Sequence, residues 1–162
     1  MPIKHIKLIQ FIIYSLCLTA CDNSSSSAAH LDKYSVATVT LPSEKIFRVY
    51  LAKTNEERRL GLSRIKNEDF DKNSGMLFVY QQSRELQFWM PETHFDLDVF
   101  FLDKNHLLLD VHRALKHHSG KANGGGVPRS KKVKAQYVLE AKAGSAFANE
   151  LQPGMRLIIK NI

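Results

Sequence analysis

His94, Asp96 and Asp98 stand at alternate positions in His94-Phe95-Asp96-Leu97-Asp98-Val99, and their types are those that hold metals or move protons. If this stretch is a strand, its pleat sends the three polar side chains to one face and Phe95, Leu97 and Val99 to the other. A histidine with two carboxylates suits zinc or a harder divalent cation, and His117 or His118 could complete such a set from a later loop. Alternate residues on a flat strand lie roughly 6.6 Å apart at Cα, which is wide for three ligands on one ion. A solvated or hydrogen-bonded polar face is the plainer expectation, with Asp98 accepting backbone hydrogen bonds at a strand edge. Paired carboxylates could also do acid–base work if one were desolvated.

Just upstream, Phe88-Trp89-Met90-Pro91 sets the only tryptophan at a proline corner. A large ring there either plugs the end of a β-core or walls a concave ligand site. Adjacent histidines such as His117 and His118 point opposite ways on a regular strand, although in a loop both could turn inward. Gly124-Gly125-Gly126 follows no strand and opens no helix, so it lacks the context of a phosphate loop and reads as a hinge. The basic run Arg129 to Lys134 contains no aromatic residue for base stacking, so it reads as a solvated turn and no nucleic-acid partner is expected. No serine sits in a nucleophile elbow.

The elements that would position these residues are short and strand-like. Val36–Leu41 and Lys45–Ala52 flank Pro42-Ser43-Glu44 and read as neighbouring strands. Further strand candidates are Gly75–Tyr80, Leu86–Met90, Phe95–Leu102, His106–Val111, Ala135–Ala141 and Met155–Lys160. Thr54-Asn55-Glu56-Glu57 is a capping box that opens a short helix ending near Gly61, and Ser145 caps a second helical turn reaching Leu151. About eight short strands with two small helices predict a mainly β domain, an antiparallel β-sandwich or a barrel-like sheet. Lys116 to Lys134 has neither period and reads as one long loop.

The amino terminus has a different logic. Lys4 and Lys7 precede an apolar run from Leu8 to Leu18, and Leu18-Thr19-Ala20-Cys21 follows, which resembles the bacterial lipobox. Eleven residues are too few to span hydrocarbon as a helix, which takes about 20. Residues 1–20 are therefore expected to be a signal peptide, with Cys21 the point of lipid attachment. Two or three acyl chains would hold the protein on its membrane, since each buried methylene contributes roughly 0.8 kcal/mol. Cys17 lies in the discarded segment, so the mature chain would hold no free thiol and no disulfide.

Residues 21–33, with four consecutive serines, read as a flexible tether. About ten such residues reach on the order of 18 Å. Residues 34–162 then form one domain large enough for a real core. The chain carries a formal charge of +7, and loss of residues 1–20 removes two lysines and leaves +5. Asp22 after the acceptor resembles an inner-membrane retention signal, which places the expected domain on the periplasmic face of that membrane.

Five ordered motifs resemble a family. Thr54-x-x-Glu57-Arg58-x-x-Gly61-Leu62, Gly75-Met76-Leu77-Phe78-Val79, Phe88-Trp89-Met90-Pro91-x-Thr93, Leu97-Asp98-Val99-x-Phe101-Leu102-Asp103, and Val138-Leu139-Glu140 with Gly144 and Gly154 are similar to the domain of unknown function 192 family. The resemblance runs from about Phe47 to Ile159 and implies a compact β-sandwich, often secreted or membrane-tethered, with no settled activity. Many members carry Lys-Asn-Thr where this chain has Pro91-Glu92-Thr93, and a methionine where it has Ser63.

Together these features predict a lipid-anchored envelope protein that binds a small ligand or another envelope protein and needs no cofactor. The expected pocket combines Trp89 and Met90 as apolar wall with Thr93, Asp96 and Asp98 as polar groups. Arg113, His117, His118 and Arg129 would join from the following strand and loop. The competing expectation is a metal-assisted hydrolase built on His94, Asp96 and Asp98.

Overall fold

The computed structural model describes residues 30–123 and 126–162; the signal segment, Cys21, most of the serine-rich tether and Gly124–Gly125 lie outside them. Seven strands build one mixed sheet: β1 Val36–Thr40, β2 Ile46–Ala52, β3 Ser74–Leu86, β4 Leu97–Leu102, β5 Leu108–Leu115, β6 Val133–Lys142 and β7 Ile158–Lys160. Two short helices, α1 Asn55–Leu60 and α2 Ala146–Glu150, complete the expected mainly β architecture. The spatial order is β5-β4-β6-β3-β2-β1-β7. Every neighbouring pair is antiparallel except β2 and β3. A parallel pair needs a crossover, and residues 53–73, carrying α1, supply it.

The sheet is not closed into a barrel, although the segment before β7 hydrogen-bonds the start of β5 through Leu108 N to Met155 O at 2.8 Å and Leu157 N to His106 O at 3.0 Å. Because successive side chains alternate, the sheet carries a core on each face. One contains Leu77, Leu139, Phe100 and Leu102 with Phe147 and Leu151 of the α2 region. The other contains Met76, Phe78, Val138, Val99 and Phe101 beneath Leu62, Ile65, Phe70, Phe88 and Met90. Aromatic pairs knit each layer, with Phe47 stacked on Phe147 at 4.1 Å and Phe78 edge-on to Phe88 at 4.7 Å.

Two strand expectations merge differently from their sequence pattern. The Gly75–Tyr80 candidate continues to Leu86, and Leu86–Met90 contributes only its first residue to a strand, followed by a single bridge from Trp89 to Arg129. Between Val79 and Arg84 the register with β6 advances only from Tyr137 to Ala135, so Tyr80–Ser83 bulge outward opposite Gln136. Pro91 lacks a ladder donor and stops regular pairing on the other side. His94 and Asp96 likewise precede β4 rather than lying in it.

The helix signals act as their chemistry dictates. Thr54 Oγ1 accepts from Glu57 N at 3.1 Å, and Glu57 Oε2 accepts from Thr54 N at 2.8 Å. Gly61 then turns the chain with φ of +51°, and a Cβ at that position would lie 3.1 Å from Phe78 Cζ. Gly61→Ala should therefore cost roughly 1–3 kcal/mol in urea unfolding, through a left-handed backbone and a push on the Phe78 ring. A variant as stable as the parent would show that this turn is free to move. No helix among the described residues is long and apolar enough to cross a membrane.

Candidate functional site

The α1–Ser63 crossover and the Phe88–Thr93 segment pass over the same face of the sheet and leave a cleft between them. Its lining includes Arg58, Arg59, Gly61, Leu62 and Ser63 on one side and Phe88, Trp89, Met90, Pro91 and Thr93 on the other, with Phe78, Leu97 and Glu140 from the strands. The cavity measures about 30 Å³, room for a water-sized group.

Glu140 is the unusual member. It occupies the middle of β6, opposite Met76 of β3 and Val99 of β4, both buried, and is itself only 4% exposed. Among the described residues its carboxyl makes no hydrogen bond or ion pair. Burial alone pushes it up to about 8, so the acid is mainly neutral near pH 7. The two hydroxyls of the lining are engaged elsewhere: Ser63 Oγ and Thr93 Oγ1 both donate to Pro91 O, at 2.8 and 3.3 Å. Arg58 is also committed, donating to Val79 O at 2.8 Å, to Lys53 O and to Asn55 Oδ1 while covering the Tyr80 ring. Arg59 is exposed and makes no ion pair among the described residues.

The long loop braces the other wall. Met90 N donates to Pro128 O, Thr93 N to His118 O, and Ser130 N to Phe88 O at 2.7 Å, so 116–123 and 126–132 run as an irregular ribbon along 88–93. Ser130, buried, accepts from Phe88 N at 2.8 Å and donates to Lys131 O. Ser130→Ala should cost about 1–2 kcal/mol, since the Phe88 amide loses its partner. Hydrogen exchange at Phe88 and Met90 should accelerate with it; unchanged exchange would mean the loop does not hold this wall. Arg129 stacks over Trp89 at 5.3 Å, and Trp89 remains 39% exposed.

The sequence-derived pocket is thus divided by the sheet. Trp89, Met90 and Thr93 line the cleft, and Arg129 and the His118 backbone support them from behind. Asp98 belongs to the opposite face. Its Oδ2 accepts from Arg113 Nη1 at 2.9 Å and its Oδ1 from Ala114 N at 2.7 Å, while Arg113 also reaches Ala148 O at 2.7 Å and Leu151 O.

Asp96 stands at the margin, its carboxylate bound by Lys116 Nζ at 2.7 Å, His117 N at 2.9 Å and His117 Nδ1 at 2.7 Å. The Lys116 ammonium and these donors hold the Asp96 carboxyl well below the ordinary range. His94 is exposed. Asp96 and Asp98 therefore serve different cations, and among the described residues no three His, Cys, Asp or Glu side chains converge as a metal set. The basic run is also largely spent: Lys131 pairs with Asp110 at 2.5 Å and Lys132 with Glu85 at 3.3 Å.

Glu140 was the member that residue chemistry missed. Its signal was present as one carboxyl in the otherwise apolar stretch Val138-Leu139-Glu140-Ala141. On a strand buried on both faces, a charged type must be either paired or functional.

Comparison with known proteins places this geometry. Two solved structures share the fold with a TM-score of 0.61 each. One, from Sinorhizobium meliloti 1021 and provisionally assigned as a transcription regulator, is 25% identical, with 77% of this chain and 94% of the other aligned. The second, a protein of unknown function from Novosphingobium aromaticivorans DSM 12444, is 23% identical over 77% of this chain and 84% of its own. No curated protein matches. The family profile described as DUF192, Uncharacterized ACR, matches residues 37–159, spanning both walls of the cleft and Glu140. The chain belongs to the domain of unknown function 192 family.

Proposed function

We propose that this protein is a lipid-anchored module of the bacterial cell envelope that captures a ligand in the Glu140 cleft without converting it. The observation that carries the binding reading is the unpartnered, buried Glu140 carboxyl lining a cavity whose two hydroxyls, Ser63 and Thr93, already have partners. Burying a carboxyl without a hydrogen bond costs stability, and a ligand that completes it would recover that cost. Recognition is favoured over catalysis because Ser63 and Thr93 are tied to the Pro91 carbonyl, leaving Glu140 no activated nucleophile to assist. The anchoring reading is supported by Leu18-Thr19-Ala20-Cys21 behind its basic, apolar leader.

Each half has its own test. Mass spectrometry of the full chain expressed in a bacterium should find acyl mass on an amino-terminal Cys21, and Cys21→Ala should abolish it. An unacylated chain starting at Met1 would overturn the anchor. Native mass spectrometry of protein extracted gently from its membrane should show a bound small molecule that the Glu140→Gln variant lacks. Identical spectra would remove the cleft as the binding site.

A further inference from the structure

Building on the ligand-binding reading, we infer that the cleft selects a small zwitterion, a primary ammonium that enters to meet Glu140 with an anionic group left outside against Arg59. The cavity of about 30 Å³ is narrow and favours a group the size of water, which an –NH₃⁺ matches better than a bulkier trimethylammonium. Phe78, Phe88, Met90 and Leu97 around it offer no competing donor, and the aromatic rings favour a cation over an anion.

The mouth imposes the opposite sign. Arg58 and Arg59 are the cations lining the cleft, and a bare amine would have to pass them without compensation. Arg58 already serves carbonyls and the Tyr80 ring, whereas Arg59 is free to turn onto a phosphate or carboxylate. Charges thus alternate from floor to mouth, acid then guanidinium, and a ligand of complementary order carries its ammonium first and its anion second.

Ammonium entry would re-ionise the carboxyl. In the ligand-free cleft burial rather than a neighbouring charge sets its state, although Arg58 and Arg59 line the same cleft and the Tyr80 phenol senses it. Near pH 7 the bound complex therefore sheds a proton from Glu140 to solvent, and the ligand's own ammonium stays intact.

The test is calorimetric titration of the purified full chain in detergent at pH 7, in two buffers of different ionisation enthalpy. Phosphoethanolamine is the probe; ethanolamine, phosphocholine and inorganic phosphate are its controls. Phosphoethanolamine should bind at least tenfold more tightly than each control and release a fraction of one proton. Glu140→Gln should weaken it at least tenfold, and Arg59→Ala, an exposed change that leaves folding intact, should reduce it to the level of ethanolamine.

Equal binding of phosphocholine, or binding indifferent to both substitutions, would overturn the inference. Vesicles containing phosphatidylethanolamine but not phosphatidylcholine should compete with the probe if the source is a lipid headgroup, and neither should if it is a free metabolite; competition by both would overturn the size selection. If phosphoethanolamine fails to bind while a co-purified molecule still depends on Glu140, the zwitterion is wrong and the cleft survives as a site.

Discussion

Replacing Glu140 with glutamine is expected to stabilise the ligand-free protein strongly above pH 8 and hardly at all at pH 4. In the unfolded chain this carboxyl ionises near its ordinary value of 4.5, whereas burial raises it to about 8 in the fold. Below 4.5 both states hold the proton and no penalty arises. Between 4.5 and 8 the unfolded chain releases a proton that the folded protein keeps, so folding stability falls as pH rises. Above 8 the loss levels off, at roughly 5 kcal/mol in full. That is a large fraction of the 5–15 kcal/mol by which domains are stable.

Glutamine matches the shape and polarity of the neutral acid but cannot ionise. Urea midpoints of the two proteins should coincide near pH 4 and separate steadily to pH 8. A difference that stays constant with pH would mean that Glu140 ionises freely in the fold, and the unpaired-carboxyl account of the cleft would fail.

How much of this arrangement could be read from residues differs between its parts. The capping box of α1 and the glycine after it were legible because their hydrogen bonds lie within three residues of one another. The β1–β2 hairpin was legible for the same reason, its register from Val36↔Tyr50 to Thr40↔Ile46 following from the Pro42-Ser43-Glu44 turn. The parallel β2–β3 pair was not, since the choice between parallel and antiparallel is made by the packing of the 53–73 crossover over the sheet. The length of β3 was hidden as well, because the polar residues after Tyr80 end the strand pattern locally and the Tyr80–Ser83 bulge is tolerated only where β6 is long enough to pair on either side.

For the site, local chemistry identified the wall and missed the floor. Trp89, Met90 and Thr93 stood out by type and by the proline corner, and they do line the cleft. Alternation grouped Asp98 with His94 and Asp96, but that inference needed one continuous strand from 94 to 98, and pairing with β6 begins only at Leu97. Arg113 was expected to join the same concavity from the following strand and loop, whereas the pleat directs it to the α2 side. Glu140 could have been found by asking why a strand of Val, Leu and Ala tolerates an acid.

Exchanging Arg113 for methionine is expected to cost about 3 kcal/mol and to leave the cleft intact. Asp98 is 2% exposed, and β5 bulges opposite it: Leu97 pairs with Leu115 and Val99 with His112, leaving Arg113 and Ala114 to face one residue. Ala114 sits at φ of +48°, and Asp98 Oδ1 holds it there by accepting its amide. Arg113 neutralises the other oxygen, covers Phe100 at 5.0 Å and carries the last carbonyls of α2.

Removing the guanidinium leaves a buried carboxylate with a single backbone donor, the situation in which breaking a buried pair is most costly. Asp98→Ala should cost a similar amount, because the strained Ala114 amide is then orphaned. The two together should cost clearly less than their sum, since neither partner survives to be left unpaired. Urea unfolding of the four proteins measures the cycle, and hydrogen exchange at Phe147–Leu151 should rise with either single change. Additive effects, or singles below about 1 kcal/mol, would show that the pair is solvated. Because Asp98 anchors the fold from the opposite face, lost binding in Asp98→Ala would report unfolding, and only Glu140, Arg59 and Trp89 can report on the cleft itself.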